Sequence, residues 1–181
     1  MVSHQYLRTM GLHKIFLFIE HFIDKLGEAA VASSWDNASD INTVRTKNSV
    51  HVLLDGTRLA MFDNLPEAAE IKKTYSLSSD KILITYTGAL IPNKGIKLLL
   101  DAIPSVCARY ANAHFIIAGF PVDQIASYME KEVFKARVTI ISPLPYFELP
   151  KILKMSDIAI DPKEATVRQA SGKMLQYMGA G

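Results

Sequence analysis

The chain has 181 residues, a formal net charge of +2 and one cysteine. Hydrophobic residues make up 49% and charged residues 21%, the balance of a globular domain and not of a disordered or fibrous chain. The near-neutral charge and the absence of a basic stripe exclude a nucleic-acid binder, and a single cysteine excludes an intrachain disulfide and a cysteine-based zinc site.

No basic run followed by an apolar core opens the chain, so no secretory leader is expected. Ile15, Phe16, Ile19, Phe22, Ile23 and Leu26 recur at helical spacing and predict an amphipathic helix. Its charged residues rule it out as a membrane span. Packing on a core is the preferred expectation for its apolar face, and association with a membrane surface is the rival one. Residues 28–33 and 49–54 read as short apolar strands, separated by a polar helix that Ser34 or Asp36 would cap and that runs to about Lys47. Residues 55–66 read as a linker, with Pro66 in the first turn of a helix reaching about Tyr75.

From Lys81 the alternation becomes regular. Strands are expected at 82–87, 114–118, 138–141 and 157–160, and helices at 96–110, 123–134 and 146–155, with a last helix opening near Ser171. Pro104 falls inside the helix at 96–110 and removes one of its hydrogen bonds. Cys107 lies on the apolar stripe of that helix and reads as core filler, compatible with a reducing compartment. Apolar strands alternating with amphipathic helices imply an α/β fold, a parallel Rossmann-like sheet with helices on both faces. Right-handed crossovers then set Gly88, Gly119, Pro143 and Pro162 along one rim, the edge at which open α/β sheets bind ligands.

Two segments on that rim carry chemistry. In Gly88-Ala-Leu-Ile-Pro-Asn-Lys-Gly95 a strand-end glycine admits a ligand close to the backbone, a helix start favours an anion, and Lys94 adds a positive charge. A diphosphate suits this combination. Neither a Walker loop nor the Gly-x-Gly-x-x-Gly dinucleotide fingerprint is present, which argues against an oxidoreductase. In residues 161–181 a strand feeds a long polar loop and then a helix, which Ser171 can cap and whose first amides Gly172 leaves open.

Gly-x-Leu-x-x-x-Lys-Gly at 88–95 resembles the donor-domain opening of glycosyltransferase family 4, the glycosyl transferases group 1 with the GT-B fold. Phe115–Gly119, Ser142–Pro150, Ser156–Pro162 and Ser171–Gly181 resemble the elements that follow in that domain, and Val52–Phe62 resembles its junction with the first domain. The resemblance implies that residues 1–54 end an N-terminal, acceptor-side domain, that 55–66 link the domains, and that 67–181 form a truncated donor domain. It implies sugar transfer from a nucleoside-diphosphate sugar with retention of configuration, with no metal or other cofactor. The acceptor is left open, a glycan or lipid-linked glycan being compatible. The expected setting is the cytoplasm or the inner face of a membrane.

Carried over by position, Gly88 and Lys94 would face the diphosphate. Ser142, Pro143 and Leu144 would border the base, and Ser171 and Gly172 would offer amides to the phosphates or sugar. No catalytic side chain is assigned. Ala89 stands where many members have a phosphate-binding arginine. Gln176 stands where a glutamate commonly holds the ribose, and Arg168 where an acidic partner is usual, with Glu164 out of register. These departures motivate an alternative, a non-catalytic nucleotide- or partner-binding module on the same fold.

Overall fold

The computed structural model describes residues 12–45, 50–163 and 171–181, which fall into two compact units meeting in the chain at Gly56 and Thr57. Arg168 and Glu164 lie outside the described residues.

In the first unit, helix α1 (His13–Leu26) leads to strand β1 (Ala30–Ala32), helix α2 (Trp35–Val44) and strand β2 (Val50–Val52). β1 and β2 pair in parallel, Ala30 opposite Val50. Ser34 caps α2, its hydroxyl accepting from the Asn37 amide at 3.2 Å. Arg45 closes the unit by donating to the carbonyls of Asp24 and Gly27. The expectation that α1 lays its apolar stripe on a core is not met among the described residues. Ile15, Phe22, Ile23 and Leu26 of that stripe are each more than half exposed.

The second unit begins with a 3-10 turn, Leu59–Phe62, inside the stretch expected to be a linker; its Phe62 packs against Leu149, Leu153 and Tyr177. Helix α3 (Ala68–Thr74) follows, with Glu67 at its N-cap, so Pro66 sits just before the helix and not in its first turn. Then come strand β3 (Ile82–Thr87), helix α4 (Ile96–Arg109), strand β4 (Ala113–Ala118), helices α5 (Ala126–Met129) and α6 (Glu132–Arg137), strand β5 (Val138–Ile141), helix α7 (Leu149–Lys154), strand β6 (Ile158–Ala159) and helix α8 (Gly172–Ala180). Pro104 is accommodated within α4, and half-buried Cys107 packs against the core, where burial pushes its thiol pKa up.

The one helix expected at 123–134 is broken. A 3-10 turn at Val122–Ile125 precedes α5, and Lys131 is extended before α6 (φ −75°, ψ 138°). Ile125 and Phe134 are both 1% exposed in the same cluster, yet nine residues on an unbroken helix would put them on opposite sides. The break lets both reach the sheet. Likewise the helix expected at 146–155 opens as a 3-10 turn, Tyr146–Glu148.

Four parallel strands run in the order β5-β4-β3-β6. Period-2 alternation divides β4 between two cores. Phe115 and Ile117 pack with Leu99, Leu100 and Ile103 of α4, while Ile116 and Ala118 pack with Ile71 of α3 and Ile152 of α7. The polar side chains buried between these layers are satisfied. Thr85 Oγ1 meets Ser156 Oγ at 2.6 Å, and Ser156 donates to the Ile152 carbonyl. His114 Nε2 lies 2.8 Å from Thr139 Oγ1, and burial, then the charges of Lys81 and Arg137, hold the imidazole pKa down.

The strand order has a direct consequence for ligand binding. The chain moves from β3 outward through β4 to β5 and then returns to the other side of β3. The direction of winding reverses between β3 and β6, and in open parallel sheets that reversal opens a crevice at the carboxyl ends of the strands.

Candidate functional site at the carboxyl rim of the sheet

The strand exits are laced together by backbone hydrogen bonds. Gly88 N–H donates to Ala118, Leu90 N–H to Phe120 and Gly119 N–H to Ile141, at 2.9, 2.9 and 3.0 Å. The peptides before Pro121 and Pro143 are cis. Gly119 is forced by this lacing, because a Cβ there would lie 1.8 Å from the Gly88 carbonyl oxygen. Gly88 itself has φ +133°, a conformation suited to glycine.

After Gly88 the chain runs through a 3-10 turn, Pro92–Lys94, to Gly95 in the left-handed region (φ +72°). A Cβ on Gly95 would stand 2.3 Å from the Pro162 carbonyl oxygen, so the loop leaving β3 lies directly against the loop leaving β6. Ala89 is held through its carbonyl, which accepts from Tyr86 Oη at 2.8 Å. Lys94 is half-buried, and Asn93 Oδ1 is buried with no hydrogen-bonding partner among the described residues.

On the β6 side, Asp161 is the anchor. Its side chain is 7% exposed, and Oδ1 lies 2.7 Å from Lys173 Nζ in the first turn of α8. Lys163 Nζ lies 4.0 Å from Oδ2. Burial works to raise the carboxyl pKa, but hydrogen bonds from Lys173 and Ser171 and the charges of Lys173 and Lys163 outweigh it and hold Asp161 below its ordinary value. Ser171 is therefore not the side-chain cap expected of it. No such cap bond forms, because its hydroxyl is engaged by Asp161. The first hydrogen bond of α8 runs from Met174 N–H to the Ser171 carbonyl, leaving the amides before it without a partner inside the helix.

Lys173 is the residue that sequence reasoning missed. Its ammonium sits 4.3 Å from the centroid of the Tyr86 ring, and its Cδ lies 3.4 Å from where a Cβ on Gly88 would be. Burial lowers its pKa, Asp161 opposes this, and the positive charges of Lys94 and Lys163 lower it further. Among the described residues the rim thus carries Lys163 and Lys173 beside Asp161, with Lys94 near Lys173. Tyr177 was missed as well. Four residues after Lys173 and on the same helical face, its hydroxyl lies 3.1 Å from both the amide and the Oγ1 of Thr87 and donates to the Ile160 carbonyl. That one hydroxyl ties α8 to the ends of β3 and β6. The i, i+4 pair of Lys173 and Tyr177 was the available signal.

The sequence-expected residues fall into two groups. Gly88, Ala89 and Lys94 on one loop and Ser171 and Gly172 at the start of α8 gather at the β3/β6 reversal. Gln176, half-buried, sits one turn along α8 from Lys173. Ser142 and Pro143 are exposed beyond β5, two strands from the reversal, while Leu144 packs against Leu149 and Leu153 of α7 and Tyr177 of α8. Two hollows lie elsewhere. One of about 500 Å³ between α1 and α2 includes Glu20, Asp24 and Asp40, and one of about 230 Å³ is lined by α3 residues with Glu148 and Lys151; neither includes a residue of the rim. Among the described residues no three His, Cys, Asp or Glu side chains are grouped to hold a metal, and no helix is long and apolar enough to cross a membrane.

A singly reversed parallel sheet with lysines and a helix N-terminus gathered at the reversal defines a Rossmann-like α/β domain. The comparisons with known proteins narrow the class. The family model for glycosyl transferases group 1 matches residues 67–165, more than half of the chain, and the chain belongs to that family. The GPI3 subunit of phosphatidylinositol N-acetylglucosaminyltransferase from Saccharomyces cerevisiae is 33% identical over 100 residues, 54% of this chain and 22% of that protein. The corresponding subunit from Schizosaccharomyces pombe is 27% identical over 184 residues, 93% of this chain and 39% of that protein. The chain thus spans well under half the length of these curated relatives. Among solved structures, Anabaena HepE in complex with UDP-glucose superposes with a TM-score of 0.71 at 13% identity, covering 87% of this chain and 44% of HepE. WaaG, a glycosyltransferase of lipopolysaccharide biosynthesis, gives a TM-score of 0.70 at 14% identity, covering 83% of this chain and 41% of WaaG. The fold is that of the GT-B glycosyltransferases.

Proposed function

We propose that the second unit is the donor-binding half of a glycosyltransferase that moves a sugar from a nucleoside-diphosphate sugar to an acceptor, with retention of configuration and without a metal. One observation carries this reading. The Lys94 loop and the first turn of α8 converge where the sheet reverses, with Lys173 and Asp161 between them. As the glycosidic bond breaks, negative charge accumulates on the leaving diphosphate, and fixed cations and amides stabilise it without reorganisation. The names of the relatives support N-acetylglucosamine as the sugar and phosphatidylinositol as the acceptor. A lipid acceptor would bring the chain to a membrane surface. The first unit would then belong to the acceptor side.

Calorimetric titration with uridine diphosphate tests the reading. The native chain binds, and Lys94→Ala weakens binding by about tenfold, the effect of losing one charge-assisted phosphate contact. Equal affinity in the two proteins would remove the donor-site reading. The second reading, a non-catalytic binding module, is favoured by Ala89 and Gln176, which lack the charges their positions carry in the resembled family. Incubation of the chain with labelled UDP-N-acetylglucosamine and phosphatidylinositol vesicles separates the two, since labelled lipid is formed only by a transferase.

A further inference from the structure

The loop leaving β3 brings one cation to the rim, Lys94, whereas a diphosphate has two ionised phosphoryl groups to neutralise. Lys173 reaches the same place from the opposite wall. Its ammonium lies 3.7 Å from the position a Cβ would take on Gly88, at the exit of β3. The side chain is extended over the Tyr86 ring and is 18% exposed, so it is held in place and not waving in solvent. Asp161 occupies one of its three N–H donors at 2.7 Å. Lys94 and Lys173 bring two positive charges to the rim beside the carboxylate of Asp161.

We infer that Lys173 is the second diphosphate-binding cation of this chain, presented by α8 beside the loop that carries Lys94 and aimed by Asp161 and the Tyr86 ring. The inference rests on the donor-site reading. It explains how a β3 loop with Ala89 in place of a basic residue still serves a diphosphate: the second charge comes from a different element. Asp161 acts as a positioning residue, accepting one N–H of Lys173 and leaving the others for phosphate oxygens.

Uridine diphosphate and uridine monophosphate, titrated into the purified 181-residue chain, are the probes. The paired variant D161N/K173M removes both charges, so that no buried carboxylate is orphaned. It is expected to weaken uridine diphosphate binding by about tenfold or more, to change monophosphate binding by less, and to leave the melting temperature close to native. K173R is expected to keep most of the affinity. Adding A89R to the paired variant is expected to restore diphosphate binding by about tenfold, which a purely structural Asp161–Lys173 pair does not predict. Native diphosphate affinity in D161N/K173M overturns the inference while leaving the Lys94 reading intact. Equal weakening of both nucleotides at an unchanged melting temperature also overturns it, because the lost contact is then not one made to the second phosphoryl group. If the paired variant does not fold, A89R in the native chain decides. A gain below about threefold means that the second cation position is already filled, and a gain of about tenfold means that it was empty. A native chain that binds neither nucleotide removes the donor-site reading and this inference together.

Discussion

The rim is built at the scale of single residues, from glycines with no room for a side chain. Gly119 is the tightest, with the Gly88 carbonyl 1.8 Å from its ideal Cβ. Gly119→Ala therefore requires β3 and β4 to separate at their exits, breaking hydrogen bonds that lace three strands. The expected cost is about 3 kcal/mol or more, among the large single-residue effects, measured by urea unfolding. A cost below about 1 kcal/mol would show that the exits are not locked together. By contrast, a Cβ at Gly56 meets nothing within 4 Å. The same residue type is indispensable at the rim and unconstrained by space where the chain passes between units.

Single elements show where sequence was enough and where it failed. β3, β4 and β5 were legible because each is a run rich in β-branched and aromatic residues with Gly or Pro just beyond it, and α4 because Ile96, Leu99, Leu100 and Ile103 repeat at helical spacing. The break before α6 was not legible, since Glu130 and Lys131 are ordinary helix formers; only the need to bury both Ile125 and Phe134 explains it. Strand order was equally hidden, being a property of tertiary pairing, so the rim could be inferred but not the reversal between β3 and β6. Lys173 and Asp161 were hidden for a related reason. They are distant in sequence from the β3 loop, and Asp161-Pro162 reads locally as a turn. The structure shows how much α8 depends on one hydroxyl. Tyr177→Phe keeps the ring in its cluster but strips the Thr87 amide of its partner. It is expected to cost about 1–3 kcal/mol, read from the denaturation midpoint, and to weaken uridine diphosphate binding as α8 loosens. An unchanged midpoint would mean that water or another group replaces the hydroxyl at no cost.

At the scale of the whole molecule, the two units differ in how well they enclose their own apolar surface. The second has two continuous cores, one on each face of its sheet. The first leaves Phe18 71% and Phe22 53% exposed on α1, stacked with ring centroids 6.5 Å apart. Contiguous apolar surface of this kind drives association. The chain is expected to self-associate as its concentration rises. F18E/F22E is expected to suppress this, as followed by sedimentation, with stability changed by only about 0.5 kcal/mol because the sites are on the surface. Undiminished association in that variant would place the sticky surface elsewhere.

The short helix α8 has a consequence for how such a domain can change. Lys173, Gln176 and Tyr177 ride on nine residues anchored at both Asp161 and Thr87, so a slip of a single residue along that helix would exchange ammonium, amide and phenol all at once. On the donor-site proposal, substitution of individual side chains retunes the choice of nucleotide, whereas insertion or deletion there erases it outright. Families diverging from this arrangement should vary freely in side chains along the helix while keeping its length and the span to its tyrosine constant.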